Sequence, residues 1–202
     1  MSLQSLTKQS LQKVQLDSGS GDSGFNATER LRLLDEITTL KSRILNLEHA
    51  ADTDPLVPIY NRRAFIREIE RAQTMMARYD IPSCVVFFDL NQFKSINDRF
   101  GHVVGDELLT KIGIALKASV RDCDMVARMG GDEFGVLLFK TDEEVARAKA
   151  SKLSCNIAEQ TIEIGTEDVH LSAAWGVSIC HPQDTPKQIL DRADRAMYKT
   201  KS

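Results

Sequence analysis

The stretch MVARMGGDEFGVLLF, residues 125–139, decides the predicted fold of this chain. Two apolar segments, residues 125–129 and 134–139, flank the paired glycines Gly130 and Gly131. Paired glycines between apolar runs are typical of a β-hairpin, because glycine adopts the positive φ angles that tight turns need. The stretch therefore predicts two antiparallel strands joined by a short turn, and acidic residues follow directly after the glycines.

Helical and strand patterns alternate around this hairpin. A continuous apolar run at residues 84–88 predicts a buried central strand that ends at Asp89. The remaining patterns predict helices at residues 62–79, 105–121, 142–158 and 186–200, and strands at residues 161–164 and 170–180. Helices packed on one sheet that contains an antiparallel hairpin indicate the α+β class.

A heptad pattern precedes this region. Apolar residues from Leu33 to Ala51 are spaced alternately four and three residues apart, and Asn26 with Glu29 resembles a helix capping box. The pattern predicts a helix at residues 26–53 that pairs two chains as a parallel coiled coil. The alternative is a surface helix that lies on its own domain.

These patterns divide the chain into three regions. Residues 1–25 include a Gly- and Ser-rich stretch and are predicted to form a flexible N-terminal segment. The coiled-coil helix follows at residues 26–53, and residues 54–202 are predicted to form one globular domain.

Composition and charge limit the classes of function. The 202 residues carry 26 Lys and Arg against 29 Asp and Glu, a net charge of −3. Such a chain is a poor nucleic-acid binder, because phosphate binding needs a basic surface. No apolar run approaches the roughly 18 residues that cross a bilayer, and no signal-peptide pattern begins the sequence. The four scattered cysteines favour reduced thiols in a cytoplasmic protein over a disulfide framework or a zinc site.

Acidic residues stand where predicted strands end or turn. Asp89 closes the central strand, and Asp132 and Glu133 follow the glycine turn. If the hairpin neighbours the central strand, the three carboxylates converge on one edge, and their mutual repulsion needs a divalent cation. Carboxylates with Mg²⁺ at such an edge can hold a triphosphate for phosphoryl transfer. Ordinary turn acids are the alternative.

The segment from Asp89 to Asp106 adds groups that suit a nucleotide. Lys94 can neutralise a terminal phosphate as a point charge, and exposed amides in the loop after Asp89 can cradle phosphate oxygens. Asn97 and Asp106 suit a guanine edge, since a carboxylate accepts from both N1–H and N2–H₂ of guanine and adenine offers no matching pair of donors. Each of these residues alone is more often a cap or a surface polar group.

The five residues Gly130-Gly131-Asp132-Glu133-Phe134 resemble the signature of the GGDEF family, the diguanylate cyclases. Three further motifs occur in the order typical of that family. They are N-R-R at residues 61–63, the pattern D…F-K…N-D…G-H-x-x-G-D at residues 89–106, and A-D…Y-x-x-K at residues 193–201. The resemblance spans about residues 52–202.

The resemblance implies both a fold and a reaction. The expected fold is a ferredoxin-like sheet with packed helices, as in the palm of nucleotide cyclases and polymerases. The expected reaction joins two GTP molecules across a homodimer, where each 3′-hydroxyl attacks the other's α-phosphate to form cyclic di-GMP and pyrophosphate. The alternative is an inactive GGDEF domain that binds GTP or cyclic di-GMP as a sensor.

The resemblance also implies roles for individual residues. Those expected to bind Mg²⁺, or Mn²⁺ in its place, are Asp89, the Leu90 carbonyl, Asp132 and Glu133. Those at catalytic positions are Asp132 or Glu133 as the proton acceptor and Lys94 at the distal phosphates. Those expected to contact the nucleotide are Phe93, Asn97, His102, Asp106 and Lys201, although His102 alone could simply cap or pack the loop at Gly101.

A regulatory site is implied at Arg121 and Asp124. They match the spacing of the family's R-x-x-D inhibitory site, where cyclic di-GMP binds as a feedback inhibitor. Arginine binds phosphate bidentately and reads the acceptor edge of guanine. The alternative is a structural Arg–Asp pair at a helix end. Arg128 either assists that site or faces solvent.

One departure from the family pattern lies before the first helix of the domain. Val57 and Pro58 stand where the family usually has threonine and glycine. Proline fixes φ near −65° and removes an N–H, so this turn must differ in detail. The turn joins the coiled coil to the domain, and the departure therefore bears on signal transmission rather than on the acidic residues.

Overall fold

The computed structural model describes residues 26–164 and 167–198. Among the described residues, 26–47 and those from Glu48 onward belong to two separate compact units. The boundary lies inside the first helix. The predicted flexible segment at residues 1–25 lies outside the described residues, and the proposed domain limits remain predictions.

Six helices and seven strands make up the described residues. The helices are α1 (Ala27–Asp52), α2 (Arg62–Tyr79), α3 (Phe93–Phe100), α4 (His102–Ala118), α5 (Glu143–Ala158) and α6 (Pro186–Tyr198). The strands are β1 (Tyr60–Asn61), β2 (Ser83–Leu90), β3 (Met125–Gly130), β4 (Glu133–Phe139), β5 (Thr161–Ile164), β6 (Glu167–His170) and β7 (Ala173–Ile179).

The main sheet has the strand order β1-β3-β4-β2-β7. Only β1 and β3 pair in parallel, and the other three pairs are antiparallel. The order β3-β4-β2-β7, with helices in both crossovers, is the ferredoxin-like arrangement. The predicted α+β class and ferredoxin-like sheet are confirmed. Strands β5 and β6 form a separate two-stranded sheet.

Strand β2 is buried on both faces, which explains its continuous apolar sequence. Successive side chains of a strand point to opposite faces of the sheet. Cys84, Val86 and Phe88 belong to the core that includes α4 and α5. Val85 and Phe87 belong to the core that includes α2 and α6. The sheet is therefore covered by helices on both sides.

Helix α2 begins and ends where the sequence predicts. Asn61 caps it by accepting a hydrogen bond from the Ala64 N–H at 3.0 Å. Asp80 ends it in a left-handed conformation with φ of 54°. Both signals are local, and for that reason the predicted bounds 62–79 are met.

The loop expected before residue 105 is instead helical. Helix α3 occupies Phe93–Phe100, and α4 begins at His102 and ends at Ala118. Gly101 separates the two helices with φ of +86°, a conformation that favours glycine. The spacing of Phe93, Ile96 and Phe100 by three and four residues is the helical signal that could have revealed α3.

The single strand predicted at residues 170–180 is two strands. His170 pairs with Thr161 in the small sheet, whereas Ala173 pairs with Leu90 in the main sheet. The chain changes sheets at Leu171 and Ser172. Sequence patterns report whether a segment is extended but not which partner it joins, and so this prediction was wrong in that respect.

Helix α1 confirms the helical part of the N-terminal prediction. The Glu29 N–H donates to the Asn26 side-chain oxygen at 2.9 Å, as a helix cap requires. Three of the predicted seam residues are exposed, with fractions of 38% at Leu33, 46% at Ile37 and 50% at Leu40. Pairing of two such helices stays a prediction. Among the described residues, no helix combines the length and apolar character needed to cross a bilayer.

Candidate functional site

Asp89, Asp132 and Glu133 meet at one edge of the main sheet. Asp89 lies directly opposite Glu133 in the antiparallel pair of β2 and β4. The Leu90 N–H donates to the Asp132 carbonyl at 3.2 Å, which places the turn beside the end of β2. The convergence predicted from the sequence is confirmed by this register.

The turn between β3 and β4 depends on its glycines. Gly130 and Gly131 have φ angles of 146° and 54°, and the ladder shifts register between Arg128 and Gly130. A side chain would strain both positions, since left-handed backbone favours glycine. The shift leaves Gly131 and Asp132 as the two turn residues between the paired Gly130 and Glu133.

Arg128 stabilises this turn through hydrogen bonds. Its guanidinium donates to the Gly131 carbonyl at 3.0 and 2.8 Å and to the Asp54 carboxylate at 3.3 Å. The Arg128 and Asp54 side chains are only 15% and 14% exposed. Of the two alternatives for Arg128, exposure to solvent is therefore wrong, and a role in the inhibitory site stays a prediction. Arg128 instead joins the turn of the signature to the segment that follows α1.

The negative charges of the acidic edge repel one another. Burial, followed by the charges of Asp89 and Asp132, raises the pKa of Glu133 above its ordinary value. Arg62 opposes this shift, and Asp194 adds to it. The edge would therefore gain from a positive charge supplied from outside the chain.

The donor set at this edge fits Mg²⁺ bound together with a nucleotide. In the described part of the chain, no three His, Cys, Asp or Glu residues form a ready metal cluster. Mg²⁺ is usually held by one or two carboxylates together with substrate phosphates, so a complete protein cage is not required. In an antiparallel sheet, the N–H and the C=O of one residue point to the same neighbouring strand. The Leu90 carbonyl therefore faces the turn that carries Asp132.

Helix α3 starts immediately beyond the acidic edge. Gln92, in a left-handed conformation with φ of 59°, turns the chain from β2 into α3. Lys94 is exposed in the first turn of α3, whereas Phe93 is buried beneath it. Unpaired N–H groups at a helix start favour anions. The amides that were expected to lie in a loop therefore belong to a helix N-terminus, and phosphate binding by them stays a prediction.

Asn97 and Asp106 lie on the two helices joined at Gly101. The Asn97 side-chain oxygen is buried and has no hydrogen-bond partner among the described residues. It approaches Gly105 so closely that a Cβ there would lie 2.0 Å from it. A buried amide oxygen without a donor is uncommon and is consistent with a partner supplied by a ligand. His102 and Asp106 are exposed on α4, and His102 begins that helix.

The turn at Arg121 and Asp124 is held by the carboxylate of Asp124. That carboxylate is 5% exposed and accepts from the Arg121 N–H and the Phe139 N–H, each at 3.1 Å. It ties the turn before β3 to the end of β4. Arg121 itself is an exposed residue. The structure thus gives Asp124 a structural role that spacing alone did not reveal.

The junction after α1 is tightly bonded to α2. Asp52 forms ion pairs with Arg63 at 3.3 Å and with Arg67, and Arg67 contributes most to lowering the Asp52 pKa. The Asn61 amide donates to the carbonyls of Ala51 and Thr53 at 2.8 and 3.1 Å. Cationic and amide donors commonly satisfy the free carbonyls at a helix end. Sequence reasoning missed this cluster.

Val57, one of the departures from the family pattern, is fully buried in the core. It packs against α4 at Gly113, where a Cβ would lie 2.2 Å from the Val57 side chain. The unusual turn therefore contributes to the core of the domain.

Lys201, expected at the distal phosphates, lies outside the described residues. Helix α6 is described as far as Tyr198. The roles expected for the other site residues remain predictions.

Comparisons with known proteins agree with this geometry. Residues 51–202 match the family model described as "Diguanylate cyclase, GGDEF domain". Diguanylate cyclase TpbB of Pseudomonas aeruginosa is 36% identical over 187 residues, which cover 88% of this chain and 41% of TpbB. The chain spans less than half of the length of the curated relatives it matches.

Solved structures share the fold. Diguanylate cyclase SiaD of Pseudomonas aeruginosa, solved with its activator SiaC, superimposes with a TM-score of 0.73 at 25% identity and covers 98% of this chain and 76% of that one. The coiled coil and GGDEF domain of DgcB from Caulobacter crescentus, solved with c-di-GMP, gives a TM-score of 0.76 at 22% identity, with coverages of 85% and 93%. This chain belongs to the GGDEF domain family of diguanylate cyclases.

Proposed function

We propose that this chain is an active diguanylate cyclase that condenses two GTP molecules into cyclic di-GMP. Each ribose 3′-oxygen forms a bond to the α-phosphorus of the other GTP, and each broken bond releases one pyrophosphate. The observation that carries the proposal is the pairing of Asp89 with Glu133 beside the Asp132 turn. All acidic residues of the signature are present at one edge.

The acidic edge would bind the metal and take up the proton. Asp89, the Leu90 carbonyl and Asp132 would hold Mg²⁺, with Glu133 alongside. The chemistry supplied by a bound Mg²⁺ is neutralisation of phosphate charge and activation of the hydroxyl. A carboxylate oxygen of Asp132 or Glu133 accepts the proton that the attacking 3′-hydroxyl loses.

The start of α3 would receive the phosphates. The free N–H groups of its first turn and the Lys94 ammonium lie next in the chain after the acidic edge. They offset the charge of the triphosphate, and Lys201 is expected to do the same. The base would lie toward Gly101, where Asn97 and Asp106 offer acceptors that match guanine donors.

The reaction requires two chains. One domain offers one acidic edge, and each GTP must present its hydroxyl to the other. The exposed apolar residues of α1, which include Leu33, Ile37 and Leu40, supply a seam for a second copy. Pairing through α1 would raise the effective concentration of one domain near the other.

Product inhibition is proposed at the Arg121 turn. An exposed arginine can bind a phosphate or the guanine edge of cyclic di-GMP. A cavity of about 320 Å³ adjoins the turn, and its charged lining consists of Arg67, Arg71 and Lys117 together with Asp52, Glu68, Asp122 and Asp124. Asp124 would act mainly by holding the turn, since main-chain donors already occupy its oxygens.

The deciding experiment is product analysis with GTP and Mg²⁺ across a range of protein concentrations. We expect cyclic di-GMP and pyrophosphate, with a specific activity that rises as chains pair. Asp132→Ala should abolish turnover while the thermal unfolding curve stays close to that of the wild type. Binding of GTP without product at any concentration would instead establish a sensor domain. A different product from mixed GTP and ATP would overturn the assignment of guanine.

A further inference from the structure

Asn91 follows directly after Leu90 and is bonded twice to a residue distant in the chain. Its N–H donates to the Ser172 carbonyl at 2.8 Å, and its side-chain amide donates to the Ser172 hydroxyl at 2.8 Å. Ser172 lies where the chain passes from the small sheet into β7. The expected roles of the site residues do not include either of these two residues.

The two bonds extend the ladder beyond the ends of both strands. The last paired residues of β2 and β7 are Leu90 and Ala173. The Asn91–Ser172 pair continues the same register by one step. Residues of an antiparallel strand alternate between their two neighbours. Leu90 therefore bonds toward the Asp132 turn, and Asn91 bonds in the opposite direction toward Ser172.

This arrangement holds the peptide that carries the Leu90 carbonyl from both ends. The Leu90 N–H is tied to Asp132 on one side, and Asn91 is tied to Ser172 on the other. The next residue, Gln92, adopts a left-handed conformation that costs energy for a residue with a side chain. Bonds that over-determine the preceding residue are what keep such a conformation populated.

We propose that Asn91 and Ser172 act together as positioning residues that aim the Leu90 carbonyl and the first turn of α3 at the metal and phosphates of the nucleotide. The inference rests on the proposed function. Neither side chain needs to touch the substrate. Loss of the side-chain bond would leave the peptide after Leu90 held by the main-chain bond to Ser172 alone and therefore less rigid, so a ligand oxygen would be less well placed when the nucleotide arrives.

The test uses the full chain and 3′-deoxy-GTP, which lacks the attacking hydroxyl and cannot react. Mg²⁺ is titrated in the presence of this analogue, and nucleotide binding is followed by calorimetry. The Mg²⁺ dependence is the Mg²⁺ concentration at which binding of the analogue is half-maximal. Asn91→Ala and Ser172→Ala should each raise this concentration by about three- to tenfold, the loss expected of one hydrogen bond. The double variant should be no weaker than either single one, because both remove the same bond.

Two further variants separate positioning from general structure. Ser172→Thr keeps the hydroxyl and should restore wild-type Mg²⁺ dependence. Ser154→Ala removes a hydroxyl that donates to the neighbouring Ala173 carbonyl at 3.1 Å, and it should leave the Mg²⁺ dependence unchanged. Thermal unfolding of each variant shows whether it folds.

Unchanged Mg²⁺ dependence in folded Asn91→Ala and Ser172→Ala would overturn the inference and leave the proposed function intact. Additive losses in the double variant would also overturn it, since the residues would then act separately. Failure of the wild type to bind the analogue with Mg²⁺ would remove the proposed function and this inference with it.

Discussion

Replacement of Asp124 by asparagine tests whether this residue holds the chain or binds a ligand. The substitution keeps the side-chain shape but replaces one carboxylate oxygen by an NH₂ group. The two oxygens accept from the Arg121 N–H and the Phe139 N–H, each at 3.1 Å, in a side chain that is 5% exposed. One buried main-chain donor would therefore face another donor.

The expected loss follows from these two bonds. A hydrogen bond to a charged acceptor contributes about 1.5–3 kcal/mol, and an unsatisfied buried donor costs about 1–3 kcal/mol. The terms overlap, so we expect Asp124→Asn to lower the free energy of unfolding by about 2–4 kcal/mol. Urea unfolding followed by circular dichroism should show a lower midpoint with an unchanged slope. Asp122→Asn, an exposed neighbour in the same turn, should change stability by less than about 0.5 kcal/mol.

Equal stability of Asp124→Asn and wild type would refute this reasoning and favour ligand binding as the role of the Asp124 carboxylate. Arg121→Ala gives the complementary result. It should leave unfolding unchanged and weaken inhibition of turnover by added cyclic di-GMP. An unchanged inhibition curve would return the Arg121 turn to a purely structural role.

Three more predictions follow from the packing and charge of the domain. Glu133→Gln should raise the melting temperature at neutral pH, because a folded-state pKa of Glu133 above its ordinary value of 4.5 makes stability fall as pH rises above 4.5. The gain in melting temperature should vanish below pH 4.5, and a gain that persists there would contradict this cause. Gly176→Ala should cost at least about 1–3 kcal/mol in unfolding free energy, since a Cβ would lie 2.1 Å from the Ala193 carbonyl oxygen and 2.3 Å from the Met197 nitrogen of α6; a melting temperature equal to that of the wild type would show that α6 shifts freely. Gly105→Ala should weaken GTP binding more than it lowers the melting temperature, because the new Cβ would displace the Asn97 oxygen; unaltered affinity in a calorimetric titration would separate Asn97 from base recognition.

Side-chain bonds join the junction after α1 to the domain. Asp52 is bonded to Arg63 and Arg67 of α2, and Asp54 is bonded through Arg128 to the turn of the signature. The last turn of α1 is thus bonded to α2, and the segment after it is bonded through Arg128 to the turn of the signature. The replacement of the usual threonine by Val57 adds apolar burial at the same place.

Local signals were sufficient for most of the elements. The bounds of α2, the hairpin at Gly130 and Gly131, and the strand β5 were predicted correctly, because caps, paired glycines and apolar periodicity act within a few residues. The convergence of Asp89 with Asp132 and Glu133 was also predicted, since a hairpin beside a central strand leaves few registers open.

Other features depended on partners far away in the chain. The break at Ser172 exists because its two sides pair with different sheets, and no local pattern records that choice. The Arg128 side chain is only 15% exposed because Asp54 and the Gly131 carbonyl come together around it, although surface exposure is the usual expectation for an arginine.

The amino-acid sequence by itself determined the acidic signature, the helix caps and the alternation of buried positions, since these are properties of neighbouring residues. Only the tertiary structure decided which polar side chains accept hydrogen bonds from the chain's own backbone, as Asp124 does. It also decided which side-chain atoms remain without a partner, as the Asn97 oxygen does among the described residues. The physical reason is that a hydrogen bond needs both groups within about 3 Å of each other, and long-range folding alone brings such groups together.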